Sequence, residues 1–128
     1  MPSNPKDTID KLASLLDGAP YAVLICDTEG RMVFVNKVAS QLYSQLHKST
    51  SPKEWPLHAV ALLDGKPLLT ERYPLSRALR GESVAETELD IISHDTGKSF
   101  RIAVTAHPLV EEGRILGVMS IHRVISKL

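Results

Sequence analysis

The first pattern in the chain is an amphipathic one near the N-terminus. Over residues 5–17, aliphatic residues recur at helical spacing among charged residues, which predicts an α-helix. Gly18 and Pro20 follow, and both residue types are typical of a helix end. The apolar stripe of this helix must be buried against the chain's own sheet or against a second copy, and it is our predicted dimerisation surface. The stripe consists of Ile9, Leu12, Leu15 and Leu16.

Two apolar runs follow, at residues 21–26 and 32–35, and the polar connection between them contains Gly30. This arrangement predicts a β-hairpin. Because successive residues of both runs are apolar, both faces of these strands should be covered, which favours a central position in a sheet. Asn36 stands directly before the next helical pattern, where its side chain is expected to cap the helix by accepting a hydrogen bond from a free backbone N–H.

The last third of the chain alternates between apolar and polar residues, which predicts strands at 83–92, 100–106 and 115–125. A helix over residues 70–80, with Thr70 as its N-cap, is expected before them. The resulting fold class is α+β: a five-stranded antiparallel sheet with helices on one face. We divide the chain into the N-terminal helix, residues 1–18, and a domain spanning residues 19–128.

Length and charge narrow the possible functions. A chain of 128 residues suits one folded domain. Fifteen basic and fifteen acidic residues cancel, without a basic cluster, so nucleic-acid binding is not expected. No apolar run approaches the roughly 18 residues of a membrane span, and the N-terminus lacks the apolar core of a signal peptide. We therefore expect a cytoplasmic protein without direct membrane insertion.

Catalytic and metal-binding patterns are not apparent. The single cysteine, Cys26, lies within an apolar run and is interpreted as a small buried hydrophobe. Glu86, Glu88 and Asp90 alternate along one strand, which indicates a solvated face paired with Arg101 on the next strand. No spacing joins a histidine to a serine or an acid in a way that enforces catalysis. No catalytic residue and no metal ligand are predicted, and the domain is not expected to be an enzyme.

Three segments resemble one known family when they are taken in order. They are the first hairpin with its asparagine (residues 22–36), the helix ending at Gly81 (residues 75–82) and the last hairpin (residues 106–118). Their order and spacing are similar to those of bacterial PAS sensory domains, and the likeness extends from about Leu15 to Ser126. Many members end in an Asp-Ile-Thr triplet at the junction with an output helix, whereas this chain reads Val124, Ile125 and Ser126.

The resemblance implies a small cavity between the sheet and the helices, which members use for haem, flavin or small metabolites, or leave empty. Haem is not expected here, because the helix at residues 71–80 lacks a histidine, and His58 is interpreted as a loop or surface residue. A flavin photosensor is not expected either, because it needs a cysteine in the middle helical region and Cys26 lies in the first strand. The cofactor is therefore left unassigned.

The candidate ligand-binding residues come from strand parity and from their position in the middle segment. A one-residue error would move a strand residue to the opposite face of the sheet. Arg77 is included because a cation beside Tyr73 suits an anionic ligand. The candidates are Leu63, Tyr73, Arg77, Leu79, Leu89, Ile91 and Met119.

The function expected from this resemblance is that of a sensory module in bacterial two-component or cyclic-dinucleotide signalling. It would act as a homodimer, bind a small molecule and relay the change to an output domain in cis, such as a kinase or cyclase. The chain is accordingly expected to be a fragment of a larger protein. Two alternatives remain open: a ligand-free module for dimerisation or protein interaction, and a small α+β enzyme.

Overall fold

Seven antiparallel strands form one sheet in the computed structural model, which describes residues 5–128 and the side chains from residue 7 onward. The sheet order is β2–β1–β7–β6–β5–β3–β4. The strands are β1 (Ala22–Asp27), β2 (Met32–Val35), β3 (Ala59–Leu63), β4 (Lys66–Pro67), β5 (Val84–Ser93), β6 (Ser99–Glu111) and β7 (Arg114–Lys127).

Four α-helices accompany the sheet within residues 5–128. Short 3-10 turns at Leu46–Lys48, Pro52–Glu54 and Thr70–Arg72 lie in the connection between β2 and β5. The helices are α1 (Pro5–Leu16), α2 (Lys37–Leu42), α3 (Trp55–His58) and α4 (Pro74–Leu79). None of the helices over the described range, residues 5–128, has the length and apolar character needed to span a membrane.

The α+β class and the antiparallel sheet are confirmed, but the predicted count of five strands is wrong. The additional strands are β3, which pairs with β5 from Ala59↔Ser93 to Leu62↔Asp90, and the two-residue β4. The run at residues 59–63 is too short and too uniform for its periodicity to separate strand from helix. The segment forms a strand because the free edge of β5 offers backbone hydrogen bonds to it.

The helix predicted from Thr70 is also shorter than expected. Residues Thr70–Arg72 form a 3-10 turn, and α4 begins at Pro74, where the fixed φ of proline and its missing N–H suit the first helical position. Thr70 is not the N-cap. Its carbonyl oxygen instead accepts a hydrogen bond from the Ser76 hydroxyl at 2.7 Å.

Asn36 caps α2 and also joins two other segments to it. Its Oδ1 accepts hydrogen bonds from the backbone N–H of Ala39 (3.0 Å) and of Val23 (2.9 Å). Its Nδ2 donates to the carbonyl oxygens of Tyr21 (2.9 Å) and Leu16 (3.3 Å). The side chain is fully buried. One amide therefore fixes the end of α1, the start of β1 and the start of α2.

The two faces of the sheet are covered unequally. On the inner face, Leu24 and Cys26 belong to the main core beneath α2, α3 and α4. On the outer face, Val23 and Ile25 are fully buried as well, so β1 is central as predicted. The side chain of Ile9 in α1 is buried on this outer face, beside Val33 and Leu116.

Candidate functional site

A small cavity lies between the inner face of the sheet and the helical connection. Its volume is about 50 Å³. The helical side contributes Tyr43, Trp55 and Tyr73, and the sheet contributes mainly aliphatic residues of β5 and β6. No Asp, Glu, Lys or Arg is found among the described residues that line it. The cavity is therefore apolar, with a few polar groups at defined points.

A hydrogen-bonded chain of three side chains forms part of the cavity wall. The Tyr43 hydroxyl lies 2.8 Å from Nδ1 of His122, and the Ser120 hydroxyl lies 2.8 Å from Nε2 of the same ring. The rings of Tyr43 and His122 meet edge to face, with centroids 5.5 Å apart. The chain thus ties α2 and the loop after it to β7, on which Ser120 and His122 lie two residues apart on the inner face.

The imidazole of His122 is held neutral. Although the residue keeps some accessible surface, its ring is densely packed, and this burial lowers the pKa of His122 to about 4. Burial likewise raises the pKa of the Tyr43 hydroxyl far above its usual range. At neutral pH the whole chain therefore consists of uncharged donors and acceptors.

Two further aromatic side chains border the cavity in different ways. The Tyr73 hydroxyl donates to the Ala59 carbonyl (3.3 Å) and accepts from the Ala61 N–H (3.2 Å), which fixes the ring against β3. The indole of Trp55 is 2% exposed, and its Nε1–H has no hydrogen-bond partner among residues 5–128. A buried donor without a partner is costly and rare in native proteins.

The structure brings three of the seven candidate ligand-binding residues to the cavity: Tyr73, Leu89 and Ile91. Leu63 and Arg77 instead lie along an open surface groove beside α4, which Leu89 also reaches. Leu79 packs against the margin of the core without lining the cavity. Met119 faces the opposite side of the sheet, because its neighbours Val118 and Ser120 take the inner positions.

Four residues with polar groups in the cavity wall were missed by the sequence analysis: Tyr43, Trp55, Ser120 and His122. Parity along β7 contains the signal for two of them, since Ser120 and His122 share the face of the buried Val118. Tyr43 and Trp55 come from irregular segments, where no periodicity assigns a direction to the side chain. Trp55 was expected only to anchor its loop on the core.

Other residues considered for chemistry lie elsewhere. His58 pairs with Asp95, Nδ1 to Oδ1 at 3.0 Å, and joins the end of α3 to the turn between β5 and β6. Cys26 is fully buried, and desolvation raises the pKa of its thiol to about 12, so it is not activated as a nucleophile. Asp90 pairs across strands with Arg101 at 2.8 Å, as predicted.

The residues around the cavity do not fit haem or flavin in this conformation. The volume is far below the roughly 300–1,000 Å³ typical of sites for larger ligands. The one histidine in the wall, His122, uses both ring nitrogens in hydrogen bonds, and Cys26 does not line the cavity.

Comparison with solved structures shows the same fold. The PAS domain of the fruit-fly ELK potassium channel superposes with a TM-score of 0.70 at 13% identity, covering 92% of this chain and 97% of that one. The PAS domain of nitrogen regulation protein NR(II) from Vibrio parahaemolyticus superposes with a TM-score of 0.61 at 22% identity, covering 89% of this chain and 97% of that one. The LOV domain of the blue-light activated histidine kinase EL346 from Erythrobacter litoralis superposes with a TM-score of 0.60 at 20% identity, covering 84% of this chain and 97% of that one.

Sequence comparison assigns the family. No curated protein matches the chain significantly. A family model described as "PAS fold" matches residues 16–128, which is nearly the whole described chain. With the sheet order, the capping asparagine and the cavity beneath the helices, this match shows that the chain belongs to the PAS domain family.

Proposed function

We propose that this PAS domain is a ligand-responsive sensory module of a bacterial signal-transduction protein. A small molecule enters the cavity, alters the packing of the helical connection on the sheet, and biases one of two arrangements that an output domain reads. The observation that carries the proposal is the chain Tyr43–His122–Ser120 in the cavity wall. Two of the solved relatives are, by their names, a nitrogen regulation protein and a light-activated histidine kinase, which supports a signalling role.

A route from the cavity to the end of the domain supports the relay. Ser120 and His122 lie on β7, and the strand continues from them to Lys127. β1 stops pairing with β7 at the Ala22↔His122 pair, and beyond it β7 remains paired with β6. A change in the hydrogen bonds of His122 therefore acts where β7 leaves the centre of the sheet, next to its C-terminal segment.

The test is mass spectrometry of the purified protein, first under native and then under denaturing conditions. An added mass that disappears on denaturation supports the sensory proposal and gives the size of the ligand. The matched variant is Ala61→Val, which adds methyl groups inside the cavity, with Ala85→Val on the exposed side of β5 as its control. Loss of the added mass in Ala61→Val alone is expected. An added mass retained by Ala61→Val would contradict binding in this cavity.

A second candidate function, a module for dimerisation, is favoured by α1. Leu15 of the predicted stripe is 79% exposed, whereas Ile9 is already buried on the chain's own sheet. An apolar side chain so exposed on an otherwise docked helix suits contact with a second copy. Leu12 and Leu16 are partly buried and lie between these extremes.

Leu15→Glu tests the dimer without disturbing the buried part of the helix. Sedimentation velocity should show a dimer for the unmodified chain and for Ser14→Glu, which alters an exposed neighbour. Leu15→Glu should be monomeric with an unchanged unfolding midpoint. If Leu15→Glu is still a dimer, α1 is not part of the dimer interface.

A further inference from the structure

The inner surface of the cavity is almost entirely hydrocarbon. Most of the described residues that line it are aliphatic, and the sheet contributes the buried side chains of Leu24, Leu89, Ile91, Ile102 and Val104. Almost none of the surface that the lining residues turn to the cavity belongs to nitrogen or oxygen atoms. A molecule inside the cavity therefore meets carbon on nearly all sides.

The polar side chains of the wall direct their hydrogen bonds to the protein itself. The Tyr73 hydroxyl is bonded to the backbone of β3. The hydroxyls of Tyr43 and Ser120 each lie 2.8 Å from a ring nitrogen of His122. The Trp55 Nε1–H has no partner among the described residues, but its nitrogen has almost no accessible surface and is not offered to a molecule in the cavity. The wall thus turns almost no hydrogen-bonding group towards a ligand.

Solvation determines which molecules gain by entering such a space. A polar molecule gives up its hydrogen bonds to water and finds few replacements, which costs binding free energy. A charged molecule loses more, because no Lys, Arg, Asp or Glu among the described residues lines the cavity. An apolar molecule gives up no hydrogen bonds, and it gains dispersion contacts with the wall. Apolar cavities in proteins accordingly stay dry and bind molecules such as benzene or xenon.

The volume of the cavity limits the size of the molecule. A volume of about 50 Å³ is equivalent to about three to five water molecules by the same measure. It is about one third of the roughly 150 Å³ of an apolar cavity that accepts benzene. The size therefore suits a hydrocarbon of about three or four carbon atoms.

Building on the proposed sensory function, we propose that the cavity selects a small, uncharged, apolar molecule over molecules of the same shape that carry hydrogen-bonding groups. The aliphatic side chains of the sheet and the helical connection surround this molecule. The chain Tyr43–His122–Ser120 stays intact beside it and reports its presence through packing, without a direct hydrogen bond to the ligand.

Three probes of similar shape test the proposal on the unmodified protein. They are isobutene, acetone, which replaces the methylene group by a hydrogen-bond acceptor, and acetamide, which adds donors as well. The readout is the set of ¹H–¹³C methyl signals of Ile91 and Ile102, which both line the cavity. Isobutene should shift these signals saturably, whereas acetone and acetamide should each bind more weakly by about tenfold or more.

A matched pair of variants locates the bound probe. Ala61→Val adds methyl groups inside the cavity and should weaken isobutene binding by about tenfold or more, whereas Ala85→Val on the exposed side of β5 should leave it unchanged. Isobutene binding that is equal in both variants would place the probe outside the cavity and overturn the inference.

The other outcomes separate this inference from the proposed function. If acetone or acetamide binds in the cavity as tightly as isobutene, the cavity takes ligands without selecting apolar ones, and this inference fails alone. If no probe binds but the purified protein carries an added mass that Ala61→Val loses, the inference again fails alone. If no probe binds and no added mass is found, the ligand-responsive function fails with it.

Discussion

At the scale of single residues, the buried side chain of Asn36 connects three segments of the chain. Its four hydrogen bonds satisfy two backbone N–H groups and two carbonyl groups, and it is completely buried. Removing a side chain from such a position leaves its former partners desolvated and unpaired, which costs more than the net value of the bonds themselves. The residue therefore connects a local signal, the helix cap, with the assembly of three segments.

We predict that Asn36→Ala lowers the free energy of unfolding by about 2–4 kcal/mol. Urea denaturation followed by circular dichroism measures the change. Ser40→Ala is the matched control, since the exposed Ser40 hydroxyl donates only to the Asn36 carbonyl, and it should cost less than about 1 kcal/mol. Equal stability of the two variants would show that the buried amide is not a structural centre.

The second prediction at this scale concerns His122 and the dependence of folding stability on pH. Its folded pKa of about 4 lies below the ordinary value of 6.5, so between these values the unfolded chain binds the proton more tightly. The stability due to the neutral ring is therefore complete above pH 6.5 and is lost as the pH falls from 6.5 to 4. The loss amounts to up to about 3 kcal/mol.

The measurement is urea unfolding of the natural chain and of His122→Gln at several pH values from 7 to 4. Because carboxylates titrate in both proteins, the difference between the two curves isolates His122. The advantage of the natural chain should shrink as the pH falls through this window. Parallel curves would mean that the ring is not buried in its neutral form.

At the scale of elements, the pairing of β1 with β7 depends on a close approach at Gly117. Gly117 lies opposite Asp27, and a Cβ at this position would collide with the carbonyl oxygen and carbon of Cys26. Both atoms belong to the backbone of a fully buried central strand, which has no room to move aside. The steric limit therefore comes from strand packing and not from a special backbone angle.

Gly117→Ala should accordingly destabilise the domain by about 2 kcal/mol or more, through strain in a packed core. Gly18→Ala is the control, because the added Cβ has no neighbour within 4 Å and φ is not positive there. The unfolding midpoints of both variants, measured by thermal denaturation, show whether the added Cβ is more costly at residue 117 than at residue 18. A Gly117→Ala midpoint like that of the control would indicate that the two strands separate at little cost.

At the scale of the whole molecule, one continuous core joins the sheet to the middle helices. It contains residues from all the strands except β4, together with α2, α3 and α4. α1 contributes from the other side of the sheet, through the buried Ile9 and a 2.6 Å hydrogen bond from the Thr8 hydroxyl to Glu111. Among the described residues, none in the main core cluster comes from α1, and the division at residue 18 stays a prediction.

We therefore predict that residues 19–128 fold alone, with a stability lower by about 2–3 kcal/mol, mainly from the loss of Ile9 burial. Asn36 keeps its bond to Tyr21 after the bond to Leu16 is lost. Urea denaturation of the truncated chain gives the value, and Ile9→Ala in the full chain should account for most of it. An unfolded truncated chain would show that α1 belongs to the folding unit.

The sequence by itself determined the features that depend on local chemistry and periodicity. The alternation of apolar and polar residues predicted the long strands, and the continuous apolar runs predicted that β1 is central. The asparagine before a helical pattern predicted the N-cap of α2. Parity also selected Leu89 and Ile91 for the cavity, but a one-residue error directed Met119 to the other face and left Ser120 and His122 unnoticed. Each of these inferences uses only the geometry of one element.

Only the tertiary structure decided which elements meet. β3 became a strand because β5 offered a free edge. Tyr43 reached His122, 79 positions away in sequence, because α2 packs on β1, the strand beside β7. The low pKa of His122 has the same origin. Burial and hydrogen-bond partners are properties of an enclosed space, and that space exists only when segments distant along the chain pack together.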